Sequence, residues 1–151
     1  MRISLSLLAF TGSLGLLLGA FAFQYIGDMA PCKMCIWQRW PHAFAIIVGG
    51  YAYVAGNRPL KALAALVVLI GAMIALYHAG VEQGWWTGPA TCTSGPIGDL
   101  TTEELMAQIQ NAPLVRCDEI PWSLFGLSMA AWNGVLSLIL AGLWAWSARR
   151  G

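Results

Sequence analysis

Residues 62–81 read ALAALVVLIGAMIALYHAGV and carry no charge, although they lie directly between Lys61 and Glu82. A helix of about 20 apolar residues is long enough to cross the hydrocarbon core of a bilayer. Only 10% of the residues in the chain are charged and 58% are apolar. Because so few charges could not cover the surface of a soluble domain, the sequence predicts a membrane protein.

Three further apolar blocks flank this stretch, so the sequence predicts four spans, at about residues 3–27, 36–56, 62–81 and 120–148. The second is long enough only if it begins near Cys35, which places Arg39 at the membrane edge, where a long side chain can reach the interface. The first block has only Arg2 as a basic region, its apolar run is too long for the core of a signal peptide, and no clear small-x-small cleavage site follows, so we expect it to be retained. Residues 1–151 are therefore expected to form a single domain, an all-α membrane protein built as a four-helix transmembrane bundle.

The basic residues predict the orientation, because they collect on the cytoplasmic side of membrane proteins. With four spans, one side holds both chain termini and Arg2, Arg58, Lys61, Arg149 and Arg150. The opposite side holds Lys33, Arg39, Arg116 and every acidic residue, namely Asp28, Glu82, Asp99, Glu103, Glu104, Asp118 and Glu119. We therefore expect cytoplasmic N and C termini and two outer loops, at about residues 28–35 and 82–119.

The second outer loop contains the stretch TTEELMAQIQ at residues 101–110. Thr101 and Glu104 have the spacing of a capping box, which predicts a helix start. Leu105, Met106 and Ile109 would share one face of that helix. The sequence thus predicts a short amphipathic helix over residues 102–110, which either lies flat on the membrane or packs against the loop itself.

All four cysteines fall in the two outer loops, with Cys32 and Cys35 in the first and Cys92 and Cys117 in the second. Outside a bacterial inner membrane the environment is oxidising, and cysteines there usually pair. A C-x-x-C pair is a common redox motif whose thiols are tuned by nearby charge. Two other interpretations remain: the C-x-x-C pair as half of a zinc site, and a Cys92–Cys117 disulfide as a loop staple worth about 3.5 kcal/mol.

Three side chains near the outer ends of the predicted spans are candidates for supporting chemistry. Arg39 follows Cys35 by four residues, so a helix that begins near Cys35 puts both on one face, where the guanidinium favours a thiolate and can bind an oxyanion. The alternative for Arg39 is an anchor on lipid phosphate. His78 can bond either a cofactor carbonyl or Glu82 at i+4, and we expect a smaller role for His42.

With these features the chain resembles the DsbB family of disulfide bond formation proteins over almost its whole length. The resemblance rests on the four spans, on CKMC followed by QR, on YHAGVEQGWWTGPATC entering the second loop, and on CDEIPWSLFGLSM before the last span. The usual first motif of the family is C-x-L-C-x-x-Q-R, and Met34 here replaces the Leu. Proteins like vitamin K epoxide reductase have a similar bundle but carry the C-x-x-C after the loop cysteines, which is the opposite order.

The resemblance implies an enzyme of the bacterial inner membrane, a protein-disulfide:quinone oxidoreductase with periplasmic cysteines. Its partner would be a DsbA-like thioredoxin-fold oxidase and its cofactor a membrane quinone, either ubiquinone or menaquinone, with no nucleic acid involved. Cys92 would form the mixed disulfide with the partner, and Cys117 would be its internal partner. Cys32 and Cys35 would then receive the electrons, with Cys35 next to the quinone and with Arg39 and His78 as quinone-binding residues.

A different class of protein also fits the same cysteines. In that interpretation the chain is a structural or metal-binding membrane protein whose cysteines only staple loops or hold an ion. The sequence does not distinguish ubiquinone from menaquinone, or a general DsbA-like partner from a dedicated one.

Overall fold

The computed structural model describes residues 4–93, 101–110 and 115–150, so the parts of the predicted second loop at residues 94–100 and 111–114 lie outside it. Four long helices make up most of the described chain: α1 (Leu5–Tyr25), α2 (Lys33–Ala55), α3 (Arg58–Glu82) and α5 (Met129–Arg150). A short helix, α4 (Thr102–Gln110), precedes a hairpin of two strands, β1 (Ser123–Leu124) and β2 (Leu127–Ser128).

Three of the described helices, α1, α3 and α5, are long and apolar enough to cross a membrane. This is the architecture of a helical membrane protein. The helix α2 is not among the three, because its first half carries Gln38, Arg39 and His42 between apolar residues. A fourth span at residues 36–56 therefore stays a prediction.

Polar caps and one glycine set the ends of the long helices. Ser4 accepts the N–H of Leu7 at the start of α1, and Asn57 accepts the N–H of Leu60 at the start of α3, each at 3.1 Å. Such caps satisfy backbone donors that a helix leaves unpaired. Between α2 and α3, Gly56 has a φ of 65°. Glycine adopts this left-handed conformation without strain, so the chain reverses direction within a very short turn.

The apolar block at residues 120–148 is not helical throughout, which corrects the expected start of the last helix. Residues 123–128 form an antiparallel hairpin in which Ser123 pairs with Ser128, and α5 begins only at Met129. The turn residues Phe125 and Gly126 both have positive φ, at 52° and 79°. Two such residues make the tight turn that suits a two-residue hairpin, and they cannot continue a helix.

The helices pack in a closed ring, since α1 contacts α2 and α5, and α3 contacts α2 and α5. Small residues allow the close approach that packing inside a membrane requires. A Cβ on Gly49 of α2 would lie 2.5 Å from the ring of Trp144, which is fully buried. Trp144 thus fills the centre of the core with Ala9, Ala45 and Val68 around it.

The helix α4 starts with reciprocal bonds between Thr101 and Glu104. The Thr101 N–H donates to Oε2 of Glu104 at 2.8 Å, and the Glu104 N–H donates to Oγ1 of Thr101 at 3.3 Å. The bond from the Thr101 N–H holds the pKa of the exposed Glu104 below its ordinary value. The apolar side chains Leu105, Met106 and Ile109 of α4 are exposed and are not buried against the rest of the described loop. The placement of α4 on a membrane surface stays a prediction.

Candidate functional site

Cys32 and Cys35 lie at the first turn of α2, where Cys32 is the N-cap. The Cys35 N–H donates to Sγ of Cys32 at 3.1 Å, and the two sulfur atoms lie 2.6 Å apart. Cys32 is buried and Cys35 is half-buried. Because a helix N-terminus favours negative charge, this position suits a thiolate. The two sulfurs are close enough to form a disulfide when an acceptor takes two electrons and two protons are lost.

The pKa values of the two thiols are shifted in opposite directions. Both cysteines precede the predicted span at residues 36–56. The hydrogen bond with Cys35 and burial raise the pKa of the Cys32 thiol. The hydrogen bond with Cys32 lowers the pKa of the Cys35 thiol, and Arg39 contributes in the same direction. When one proton is shared by the reduced pair, Cys35 is therefore the thiolate.

Cys92 and Cys117 form a disulfide, with their Cα atoms 5.4 Å apart. The Cys117 N–H donates to the carbonyl oxygen of Cys92 at 2.8 Å, which ties the two loop segments together. Both cysteines are almost fully buried, at 1% and 0% exposure.

The two cysteine pairs pack in one buried cluster. Cys32, Met34, Cys92 and Cys117 are its buried members, and Cys35 packs against them. Thiol–disulfide exchange requires a thiolate to reach a disulfide sulfur. The arrangement therefore brings donor and acceptor of such an exchange together, while it shields the loop disulfide from any large molecule in solution.

The side chain of His78, on α3, contacts the same cysteine cluster. Its Nε2 lies 3.6 Å from Sγ of Cys32 and 3.9 Å from Oε1 of Glu82, and its Nδ1 lies 2.8 Å from Nε2 of Gln38. The ring is buried. Glu82 in turn accepts a hydrogen bond from Ser128, the residue that caps α5.

Arg39 lies four residues after Cys35 on α2 and turns toward α1. Its Nη1 donates to Oε1 of Gln24 at 2.5 Å, and its Nη2 donates to the carbonyl oxygen of Ala20 at 3.3 Å. The guanidinium also lies 5.0 Å from the centre of the Phe21 ring. Its Nε is buried and has no partner among the described residues. The residue is thus held in place with one donor free.

A cavity of about 490 Å³ opens beside Cys35 and Arg39. Gly15, Gly19 and Phe23 form part of its apolar wall on α1, opposite polar groups of α2 and α5. Ligand sites in proteins commonly have volumes of about 300–1,000 Å³, apolar walls and a few polar groups. The cavity has the size and character for a largely apolar molecule with a few polar groups.

Two polar residues of this site, Gln24 and Asn133, were not identified from the sequence, and Gln38 was noted only as part of the QR that follows CKMC. Each interrupts an apolar run, and a polar residue inside a membrane helix is a signal for function or for an interior hydrogen bond. Asn133 donates to Gln38 at 2.7 Å. The sequence shows that such residues are present, but only the packing shows which of them meet.

Next to Cys117 in the chain, Arg116 donates two hydrogen bonds to Asp118. These bonds hold the pKa of the Asp118 carboxyl below its ordinary value. Arg116 and Glu119 also line the outer part of the cavity. The segment on either side of Cys117 thus carries an ion pair whose arginine lines the cavity.

Comparison with known proteins identifies the family to which this arrangement corresponds. The family model described as "Disulfide bond formation protein DsbB" matches residues 2–147. A disulfide bond formation protein B of Shewanella amazonensis is 31% identical over 137 residues, which cover 87% of this chain and 80% of that protein. No solved structure gives a significant match.

Two further proteins of the same name match as extensively. That of Stutzerimonas stutzeri is 27% identical over 158 residues, covering 93% of this chain and 92% of that protein. That of Albidiferax ferrireducens is 26% identical over 156 residues, covering 91% and 85%. The resemblance identified from the sequence motifs is confirmed.

Proposed function

This chain belongs to the DsbB family of disulfide bond formation proteins, and on that premise we propose that it is a protein-disulfide:quinone oxidoreductase of the bacterial inner membrane. It would reoxidise a DsbA-like thioredoxin-fold dithiol protein and pass the electrons to ubiquinone or menaquinone. The reaction balances, because two thiols lose two electrons and two protons on forming a disulfide, and a quinone takes up both to become a quinol.

The observation that carries this proposal is the packing of both cysteine pairs in one cluster. A loop disulfide that only stapled the fold would have no reason to lie against a second, unbonded cysteine pair. Exchange between the loop pair and the Cys32–Cys35 pair requires their sulfur atoms to meet, and packing in one cluster brings the two pairs together.

On the partner side, a partner thiolate would attack Cys92, release Cys117 as a thiolate and form the mixed disulfide. The second cysteine of the partner would then displace Cys92, which leaves the partner oxidised and the loop pair as a dithiol. Because Cys92 and Cys117 are almost fully buried, the loop has to open before a soluble protein can reach them. The segment that leads to Cys92 contains Gly88 and Pro89. Such residues are typical of loops that change conformation, and they support a carrier role for this segment.

On the membrane side, the cavity would hold the quinone head group, with Cys35, Arg39 and His78 as its polar contacts. A bound quinone supplies a two-electron acceptor that the protein itself lacks. The free Nε donor of Arg39 supports this assignment, because a guanidinium donor stabilises negative charge that develops on an oxygen. Cys35 lines the same cavity and is the more acidic thiol of its pair.

The proposed orientation places the cysteines in the periplasm and both chain termini in the cytoplasm. The one-sided distribution of acidic residues and the basic residues near α3 and at the end of α5 support it. In this orientation the helix α4 lies on the periplasmic side, near the membrane surface.

A metal-binding role is the second candidate, and one observation favours it. The ligand atoms of Cys32, Cys35 and His78 lie within 4.8 Å of one another, which suits a soft metal such as zinc. The disulfide engages Cys92 and Cys117, so they cannot complete the site. A zinc centre would then need its fourth ligand from Glu82 or water.

Turnover with a partner separates the two candidates. Purified protein should reduce a soluble quinone continuously when a reduced DsbA-like protein is present, and Cys35→Ser should abolish the reaction. With the oxidised partner, Cys117→Ser should trap a mixed disulfide on Cys92, because the Cys92 thiolate attacks the partner's disulfide and no Cys117 is present to displace the partner. Stoichiometric zinc in the purified chain, together with no quinone reduction by the unaltered chain, would replace the redox proposal by the metal one.

A further inference from the structure

A continuous chain of side-chain hydrogen bonds runs through the interior behind the cysteine cluster. His42 Nε2 lies 3.1 Å from Oγ of Ser137, which donates to Oδ1 of Asn133 at 3.4 Å. Asn133 Nδ2 donates to Oε1 of Gln38 at 2.7 Å, and Gln38 Nε2 lies 2.8 Å from Nδ1 of His78. We call these five residues the polar chain. It links α2, α5 and α3 and ends at the cysteines.

The direction of the bonds in the polar chain follows from its two amides. The hydroxyl of Ser137 donates to the carbonyl oxygen of Asn133, so the amide nitrogen of Asn133 faces Gln38. That nitrogen donates to the carbonyl oxygen of Gln38, which leaves the amide nitrogen of Gln38 facing His78. An amide nitrogen only donates, so Nδ1 of His78 must accept.

A neutral imidazole carries its proton on one nitrogen only. With Nδ1 as an acceptor, the proton of His78 lies on Nε2, the nitrogen that faces Sγ of Cys32 at 3.6 Å. The polar chain therefore sets the tautomer of a histidine that contacts the redox pair. The bond made by one ring nitrogen generally determines the role of the other.

We propose that Gln38 and Asn133 are positioning residues that hold His78 as an Nε2–H donor to Cys32, so that this sulfur is stabilised as a thiolate in the states in which Cys32, and not Cys35, carries the charge. Ser137 and His42 support them by fixing the orientation of the Asn133 amide. The thiolate is the reactive form of cysteine, and burial opposes it. A hydrogen bond from His78 offsets that cost at the buried Cys32.

Several groups face the His78 ring and act on the same equilibrium. Cys32 and Gln38 approach from α2, Glu82 lies one turn further along α3, and the backbone of Cys117 approaches from the loop. Of the two side chains next to Nε2, Sγ of Cys32 lies at 3.6 Å and Oε1 of Glu82 at 3.9 Å, and the other carboxylate oxygen of Glu82 accepts a bond from Ser128. The inference rests on the proposed function only in one respect: that function uses the Cys32 thiolate in thiol–disulfide exchange.

The tautomer can be read directly by ¹⁵N NMR of histidine-labelled protein, since the chain has only two histidines. Comparison with His78→Gln assigns the signals. We expect protonated Nε2 and unprotonated Nδ1 at His78. In Asn133→Asp the carboxylate cannot donate to Gln38, so the Gln38 amide should reverse and the proton should move to Nδ1. A proton on Nδ1 in the unaltered chain, or no change in Asn133→Asp, would overturn the proposal.

The effect on the thiol is measured by the rate of alkylation of Cys32 against pH in a Cys35→Ser background. Asn133→Asp should slow alkylation at neutral pH roughly tenfold, as expected for loss of a hydrogen bond to a charged group. The limiting rate at high pH should be unchanged, because there access alone decides it. An unchanged profile at neutral pH contradicts the proposal.

The matched control is Ser147→Ala. Ser147 lies on α5, as Asn133 and Ser137 do, but at the opposite end, and the substitution removes a buried hydrogen bond with Ser6 of α1. It should alter neither the tautomer nor the alkylation profile, and an equal effect in this control would also contradict the proposal. Neither measurement involves a quinone or a partner protein. Failure of the positioning role and failure of the oxidoreductase function are therefore distinguishable.

Discussion

Arg39 of α2 donates a hydrogen bond to Gln24 of α1 at 2.5 Å. The bond joins a charged donor to the side chain of a residue that lies near the end of an otherwise apolar helix. Hydrogen bonds with one charged partner are about twice as strong as neutral ones. Gln24 thus fixes the guanidinium beside the cavity, while Nε of Arg39 remains available.

Replacing Gln24 by Leu should loosen Arg39 without removing its charge. We expect the apparent KM for a soluble quinone to rise several-fold, while the rate at which the loop disulfide oxidises a partner dithiol stays the same. Steady-state kinetics with varied quinone provides the measurement. Gln83→Leu, at an exposed glutamine just beyond α3, is the matched control. A change in partner oxidation with an unchanged quinone KM would show that Gln24 acts elsewhere.

Removal of the guanidinium itself should have the larger effect. Arg39→Ala should raise the apparent quinone KM roughly tenfold or more, because a charge-assisted donor is lost. Arg39→Lys should recover only part of the loss, since an ammonium cannot reproduce the fixed fork of donors. Equal kinetics for Arg39→Ala and the unaltered chain would make Arg39 a lipid anchor instead.

Gly80 of α3 lies directly beneath Trp86, at the start of the loop that carries Cys92. A Cβ at this position would lie 2.1 Å from the Trp86 ring, which also stacks on Tyr77 and donates to its carbonyl oxygen. Gly80→Ala should therefore displace the ring, cost about 1–3 kcal/mol, and speed reduction of the Cys92–Cys117 disulfide by dithiothreitol.

The control for that substitution is Gly142→Ala on α5, where an added Cβ meets nothing within 4 Å. It should leave the reduction rate unchanged and should not lower the thermal midpoint. If Gly80→Ala behaves in the same way, Trp86 does not hold the loop closed.

The helix α4 should weaken in acid. The pKa of Glu104 is lowered by the bond from the Thr101 N–H, so the stability that this bond contributes is present at neutral pH. It is lost as the pH falls through the lowered pKa of the folded state. Amide exchange, corrected for intrinsic rates, should show protection of residues 102–110 falling over that interval. Glu104→Gln should show weak protection at neutral pH and little further change, and a loss equal to that of the unaltered chain would contradict this role.

The sequence predicted much of this architecture, because long uncharged runs such as residues 62–81 have few alternatives to a membrane helix. The late start of α5 was missed, although Pro121 and Gly126 interrupt that block. Hydrophobicity alone does not separate a hairpin from the first turns of a helix, whereas the turn chemistry of Gly126 does.

The site was predictable where its residues are close in sequence and not where it depends on packing. The spacing of Cys35 and Arg39 on one helix needs no tertiary information. The contacts of His78 with Cys32 and Gln38 join positions far apart in the chain, and periodicity does not determine which faces of two helices meet. Gln24, Gln38 and Asn133 are visible as polar residues in apolar runs, but their partners are not.

The most direct test of electron flow from both cysteine pairs to a quinone is a count of quinol formed in a single turnover. The fully reduced chain, freed of reductant, is mixed with excess soluble quinone, and quinol is measured by absorbance. Each dithiol gives two electrons, so the two pairs predict two quinols per chain. The variant with both Cys92→Ser and Cys117→Ser should form one, and Cys35→Ser should form none. Two quinols per chain in Cys35→Ser, or none in the unaltered chain, would contradict the account.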